Sequence, residues 1–332
     1  MNKNRPLITV LVPIKNEEWS LERFLSVTSQ FADHILIADQ GSTDRSTEIC
    51  RRFPKVHLFP NPSPIYDESQ RQHLLIDEAR RVVQGQRLLL ALDADEVLAA
   101  DAPDTEGWKK MLNAAPGTII HIFKPDLRSP VTNCLRISKP WVLGYMDDGA
   151  PHSGYTIHST RVPSPPGHPV LVLDDVNVLH YNLVRPRALR AKFRRYCALE
   201  HLGKLSNWYR RTINYRKSMD WSLAGERGTS PESWFLGWER KGIDMRTIVD
   251  SEFYMHDVEV LRLFKKHGLS FFRFDDIWDL DWEKCRQWAL AKGLSEIPTE
   301  VIPAPFWADN LVIRASQAAC VAVEKLRRLV QK

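Results

Sequence analysis

The chain has 332 residues, 43% hydrophobic and 26% charged, with eleven Trp and thirteen Phe. That is the makeup of a folded globular protein of one large or two ordinary domains. A net charge of +5 is too mild to mark a nucleic-acid binder, and no zinc-finger spacing or RNP-like aromatic motif accompanies it.

The basic start of MNKNRPLITVLVP leads into an apolar stretch that is too short for a signal peptide and meets Pro13. No run approaches the ~20 apolar residues of a membrane span. Five scattered cysteines without a CxxC pair read as thiols of a reducing compartment. A cytoplasmic location is expected, with peripheral attachment at the inner face of the membrane as its variant.

In chain order, Leu7 to Val12 is a continuous β-branched run, as in a strand buried on both faces. A helical pattern follows through Leu21, Phe24 and Leu25, with Ser20 as its N-cap. Ile35 to Ala38 and Val56 to Phe59 read as strands and Asp44 to Phe53 as a helix. Asp67 to Val83 reads as a helix with Asp67 and Gln70 at capping-box spacing, and Leu88 to Leu92 as a fourth buried strand. Such alternation predicts a mostly parallel sheet covered by helices, whose ligands bind at the carboxyl ends of the strands. Pro13 to Glu17, Asp39 and Asp93-Ala94-Asp95 each follow a strand directly, so these polar groups are expected to share one edge.

Two carboxylates at the end of a buried strand are costly without a compensating cation. A divalent metal that holds a diphosphate supplies one. A DxD tripeptide arises by chance roughly once in a chain this long, and Asp279-Leu280-Asp281, in a segment that reads as helix, is a second copy. Helix capping and turn chemistry are the bland readings of Asp93, Asp95 and the Asp39-Gln40-Gly41-Ser42 turn.

Taken together, Val-Pro-Ile-Lys-Asn-Glu (12–17), Asp-Gln-Gly-Ser-Thr-Asp (39–44), the Arg-bearing helix after Tyr66-Asp67-Glu68, and Leu-Asp-Ala-Asp-Glu (92–96) resemble a family 2 glycosyltransferase of the GT-A fold over about residues 7 to 100. The resemblance implies a Rossmann-like, mixed and mostly parallel sheet and an inverting sugar transfer from a nucleotide sugar, with a uracil base as its default. It implies a divalent metal, Mn²⁺ or Mg²⁺. It implies that Asp39 binds the nucleobase and that Arg71 lies near the nucleotide. It also implies that Asp93 contacts ribose or metal-bound water and that Asp95 ligates the metal. Pro13, Lys15, Glu17 and Gly41 complete the donor-binding set. The turn carries Gln40 where the family more often has Asp or Ser, which leaves Asp39 in place.

An inverting transfer needs a carboxylate base. The candidates are Asp147 and Asp148 in Gly-Tyr-Met-Asp-Asp-Gly, with a solvated turn as the alternative. His180, closing the strand Val176 to Tyr181, is a candidate metal ligand. His152, His158 and Arg161 are candidate site-lining residues.

A boundary near residue 184 divides a nucleotide-sugar-binding catalytic domain, 1–184, from a helical region, 185–332. Between Arg185 and Lys217, eleven Lys and Arg face a single Glu. That segment reads as a solvated basic cover or as a platform for anionic lipid. Trp234 to Met245 and Trp278 to Leu290 read as aromatic packing helices. The final helix puts Leu311, Ala315, Ala318, Ala322, Leu326 and Leu329 on one face, expected to dock on the body or on a second copy. The acceptor is expected to be a glycan or a lipid-linked acceptor, with a surface polysaccharide or a small molecule as its other forms. A nucleotidyltransferase lacks its Gly-rich phosphate loop here, and a non-catalytic GT-A-like binding protein sits poorly with intact Asp39, Asp93 and Asp95.

Overall fold

A computed structural model describes residues 5–63, 67–136, 139–155, 159–217 and 226–330. The elements run β1 (Leu7–Ile14), α1 (Glu18–Phe31), β2 (His34–Asp39), α2 (Ser46–Arg51), β3 (Val56–Pro60), α3 (Glu68–Val82), β4 (Arg87–Ala91), β5 (Glu96–Leu98), α4 (Glu106–Leu112), β6 (Ile119–Phe123), β7 (Asp126–Arg128), β8 (Asn133–Arg136), β9 (Trp141–Met146) and β10 (Val170–Leu183). They continue with α5 (Pro186–Leu202), α6 (Trp208–Lys217), β11 (Glu226–Thr229), α7 (Ser233–Glu239), α8 (Met255–His267), α9 (Trp282–Ala291) and α10 (Trp307–Val330).

The strands form one mixed sheet in the order β11-β8-β7-β10-β6-β9-β4-β1-β2-β3, with β5 on β10. β4, β1, β2 and β3 are parallel, β9 runs antiparallel between β4 and β6, and β10 is parallel to both β6 and β7. This is a mixed α/β architecture of the kind the GT-A resemblance implies. The apolar run of β1 is buried on both faces, as its sequence demands. Leu11, Leu36, Leu89 and Ala91 of the sheet pack with Leu75, Ile76 and Ala79 of α3. Asp67 caps α3 by accepting the Gln70 N–H at 2.9 Å. The cap residue of α1 is Glu17, and Ser20 is buried inside the first turn, because the chain leaves β1 through Asn16 at φ +59° and turns into the helix earlier than expected.

The chain divides into two compact units. The first joins residues up to Val184 with Glu226–Thr247, and the second joins Arg185–Gly225 with Ile248 onward. The return of 226–247 differs from the contiguous second region expected from sequence. β11 pairs with β8, the Trp238 indole donates to the Leu98 carbonyl at 2.8 Å, and Arg23 of α1 donates to the carbonyls of Asp244 and Thr247 at 2.7 and 2.6 Å. α7 ends at Glu239 and Gly242 adopts φ +78°, so Trp234 to Met245 is helical only in its first half.

In the second unit, Val258, Leu261 and Phe264 of α8 pack with Phe272, Trp282 and Cys285. Part of the expected basic platform is neutralised by acids of the same unit. Arg190 pairs with Asp276 and Asp279, Arg194 with Asp257, and Arg195 with Glu259. The second DxD is structural, since Asp279 receives Arg190 and Arg194 and Asp281 caps α9 through the Lys284 N–H. Burial pushes the thiols of Cys50, Cys197 and Cys285 up to about 12, which leaves them inert at neutral pH.

Candidate active site

Strand register assembles the expected edge. Ile14 pairs with Asp39 and Pro13 with Ala38, while Leu11 pairs with Ala91 on the other side of β1. Asp93, two residues beyond Ala91, therefore stands level with Pro13. Asp39 and Asp93 flank β1 at two strand spacings, about 10 Å.

The loop after β1 is laced to the turn after β2. Asn16 N donates to Ser42 Oγ at 2.9 Å, its side-chain oxygen accepts the Thr43 N–H at 2.7 Å, and the Ser42 N–H reaches the Asp39 carboxylate at 3.1 Å. Asn tolerates the left-handed conformation that this crossing needs, and Gly41 at φ +75° lets the second turn close. Glu17 N donates to Ser46 Oγ, and Glu18 N to Asp44. Lys15 is exposed at this edge, with Pro13 and Glu17 half-buried beside it. Sequence reading assigned no role to Asn16, Ser42 or Asp44; their signal was local, polar side chains packed into both strand-end turns.

The DxD run opens onto an ionic cluster. Glu96, fully buried, accepts Lys124 Nζ at 2.7 Å and an Arg161 nitrogen at 2.5 Å, and the other terminal nitrogen of Arg161 lies 2.5 Å from Asp93. Lys124 also lies over the Trp141 ring at 4.2 Å. Burial works to raise the Glu96 carboxyl, but Arg161 and Lys124 outweigh it and hold Glu96 well below the usual carboxylate range. Glu96 and Lys124 had no role in the sequence reading. A Glu placed directly before the buried Val97-Leu98 was the available signal, because such a charge needs a partner.

Asp95 points elsewhere. β5 pairs with β10 so that Glu96 opposes His180, and the Tyr181 N–H donates to the Asp95 carbonyl. His180 Nε2 thereby lies 3.6 Å from the Asp95 carboxylate, while its Nδ1 meets Asp126 at 2.5 Å. Burial raises the Asp95 carboxyl, Asp93 and Glu96 add to the rise, and His180 opposes it. Burial disfavours a charged His180, but Asp95, Asp126 and Glu96 prevail and raise its pKa.

These residues fit a divalent metal. Four carboxylates, Asp93, Asp95, Glu96 and Asp126, meet two permanent cations, Lys124 and Arg161, both spent on Glu96 and Asp93. The unbalanced charge falls at Asp95 and His180. One imidazole and one carboxylate are a donor set for Mn²⁺ or Mg²⁺ that takes further oxygens from a substrate diphosphate. Asp126 would fix the ring orientation. Among the described residues no three His, Cys, Asp or Glu side chains form a complete cage.

The remaining candidates are placed as follows. Arg71 is half-buried in the first turn of α3, beyond β3. Arg161 stands at the site. His152 packs on the His73 ring at 4.9 Å and is pushed down to about 4 by burial, then by His73, so it is a neutral packing group. Tyr66 and His158 lie outside the described residues.

Asp147 and Asp148, expected to supply the base, are not brought to this edge. β9 runs antiparallel to β4, and Asp147 N donates to the carbonyl of Arg87, the first residue of β4. That is one strand length, about 20 Å, from Asp93. Asp147 is buried between Arg80 and Arg87 at 2.8 and 2.9 Å, and Asp148 accepts the Tyr145 hydroxyl at 2.5 Å. Both close the opposite edge of the sheet.

Residues 9–113, which build most of β1 through α4 and carry Asp39, Asp93 and Asp95, match the family model Glycosyl transferase family 2. No curated protein sequence matches the chain. Among solved structures it is similar to S. aureus TarS 1–349, at 11% identity and TM-score 0.35, with 65% of this chain and 73% of that one covered. It is also similar to glucosyl-3-phosphoglycerate synthase from Mycobacterium tuberculosis, in complex with Mn²⁺, uridine diphosphate and glucosyl-3-phosphoglycerate, at 15% identity and TM-score 0.28. That likeness covers 36% of this chain and less than half, 44%, of the synthase.

Proposed function

We propose that this protein is a glycosyltransferase that moves a sugar, with inversion, from a nucleoside diphosphate sugar to a hydroxyl of a glycan or lipid-linked acceptor, using Mn²⁺ or Mg²⁺. The observation that carries the reading is the pairing of Asp95 with His180 in a carboxylate-rich cluster on the same sheet edge as Asp39. Asp39 receives the base, for which uracil is the expectation from resemblance, and the laced loops 15–18 and 39–46 hold it in place. The bound cation supplies charge neutralisation to the departing diphosphate. Arg161, fixed by Glu96, keeps Asp93 oriented at the sugar side of the edge. Asp147 and Asp148 have no part in this scheme.

A thermal-shift screen of nucleoside diphosphates and their sugars, with and without Mn²⁺, tests it. A rise in Tm with one nucleotide class that requires the metal is the expected result and names the base. Equal shifts with and without metal, or none with any nucleotide, overturn the proposal.

A further inference from the structure

The last helix of the second unit is turned the opposite way from a docked amphipathic helix. α10 contacts α6, its Ile313 and Cys320 are buried, and Gln317 donates to Asp276 at 2.8 Å. Its apolar stripe instead faces outward. Trp307 is 67% exposed, Leu311 57% and Leu326 62%, with Val312 and Val323 beside them and Ala315, Ala318 and Ala322 along the middle. Phe306, just before the helix, is exposed too and packs on Trp307. The side chain of Leu329 lies outside the described ones.

The acids of α10 are kept off its outward face. Its two acids, Asp309 and Glu324, are buried on the inner side, Asp309 against Arg273 at 2.7 Å. Arg314, Lys325 and Arg327 are exposed. On a helical wheel of 100° per residue Arg314 and Lys325 border the apolar stripe on the side of Trp307. The outward face therefore offers apolar and aromatic groups edged by cations and no carboxylate of its own helix.

We propose that this face is the surface by which the protein lies on an anionic lipid bilayer, with α10 in the plane of the interface. The aromatic start and the cationic border suit headgroup depth, and the Leu and Val side chains suit the acyl boundary. Among the described residues no helix is long and apolar enough to cross a membrane, so the contact is one of lying on the surface. Charge complementarity selects lipid over a second copy of the chain. Two such faces brought together would set cation against cation with no exposed acid of the helix to answer them.

The test is sedimentation of the full chain with vesicles of phosphatidylcholine alone and of phosphatidylcholine mixed with phosphatidylglycerol, at low and high salt. The wild-type chain is expected to sediment with the anionic vesicles, less so at high salt. Leu311→Glu with Leu326→Glu is expected to lower that binding by at least about tenfold. Arg314→Gln with Lys325→Gln is expected to lower it by about fivefold for each cation removed, with the apolar stripe intact. All four positions are exposed, and unchanged melting by circular dichroism verifies the fold. Wild-type protein that stays in the supernatant with both vesicle types overturns the proposal. So does equal binding by wild type and variants, or a lipid-free dimer that both double variants turn into monomer.

Discussion

Asp93 and Asp95 are two residues apart in sequence and meet opposite surroundings. Asp93 shares Arg161 with Glu96, whereas Asp95 pairs, among the described residues, with the His180 imidazole, itself held by Asp126. The chain turns between them, with the Glu96 N–H donating to the Asp93 carbonyl at 2.9 Å, and that turn sends the two carboxylates to different partners. Asp95→Asn is therefore expected to leave the fold intact and weaken Mn²⁺ binding by roughly 100-fold or more, while Asp126→Asn, which leaves both ligands in place, costs about 10- to 100-fold. Titration calorimetry with the metal alone reads both. Equal affinities in wild type and Asp95→Asn would show that the metal binds elsewhere. Asp39→Ala is expected to weaken the free nucleoside diphosphate by about 1.5–3 kcal/mol, the range for a hydrogen bond to a charged group, with metal dependence preserved. Unchanged nucleotide affinity would remove Asp39 from the base-binding role.

At the level of elements, β4 carries both edges of the first unit. Its carboxyl end leads into the DxD run, and its amino end holds Asp147 between Arg87 and, from α3, Arg80. Burial raises the Asp147 carboxyl, but the hydrogen bonds from Arg80 and Arg87 prevail, so its folded pKa lies below the ordinary carboxylate value. A depressed carboxylate contributes stability that is present above its unfolded pKa, about 4, and is lost as pH falls through the folded value. Asp147→Asn should be less stable than wild type at neutral pH, and the gap should narrow below about pH 4. Urea denaturation at stepped pH measures this, and a gap independent of pH would refute the linkage. The helices teach a related lesson. The basic run of α5 was legible as charge, but only tertiary pairing shows that Arg190 and Arg194 are spent on Asp257, Asp276 and Asp279. The apolar stripe of α10 was legible as periodicity, yet the side that packs is the one with Ile313 and Cys320.

Across the whole molecule, the first unit is completed by a segment that follows α6 in sequence. Trp234, Phe235 and Trp238 are buried, the Tyr181 hydroxyl donates to the Met245 carbonyl at 2.8 Å, and Arg23 clasps 244–247. Losing one buried aromatic side chain costs about 3–5 kcal/mol, against a typical total stability of about 5–15 kcal/mol. A chain ending at Val184 should therefore lack the near-ultraviolet circular dichroism and cooperative urea transition of the full protein. Restoring 226–247 through a flexible linker should recover both, and a cooperatively folded 1–184 fragment would contradict this dependence. The sequence by itself determined the strand-helix alternation, the parallel core and the gathering of Asp39, Asp93 and Asp95 at one edge, because buried parallel strands and strand-end turns leave strong local patterns. Tertiary structure alone decided which charges neutralise one another, that Asp147 and Asp148 close the far edge, and that residues 226–247 return to the first unit. These outcomes depend on strand direction and on partners tens of residues away, and no local pattern records the direction of β9 or the distant partner of an arginine.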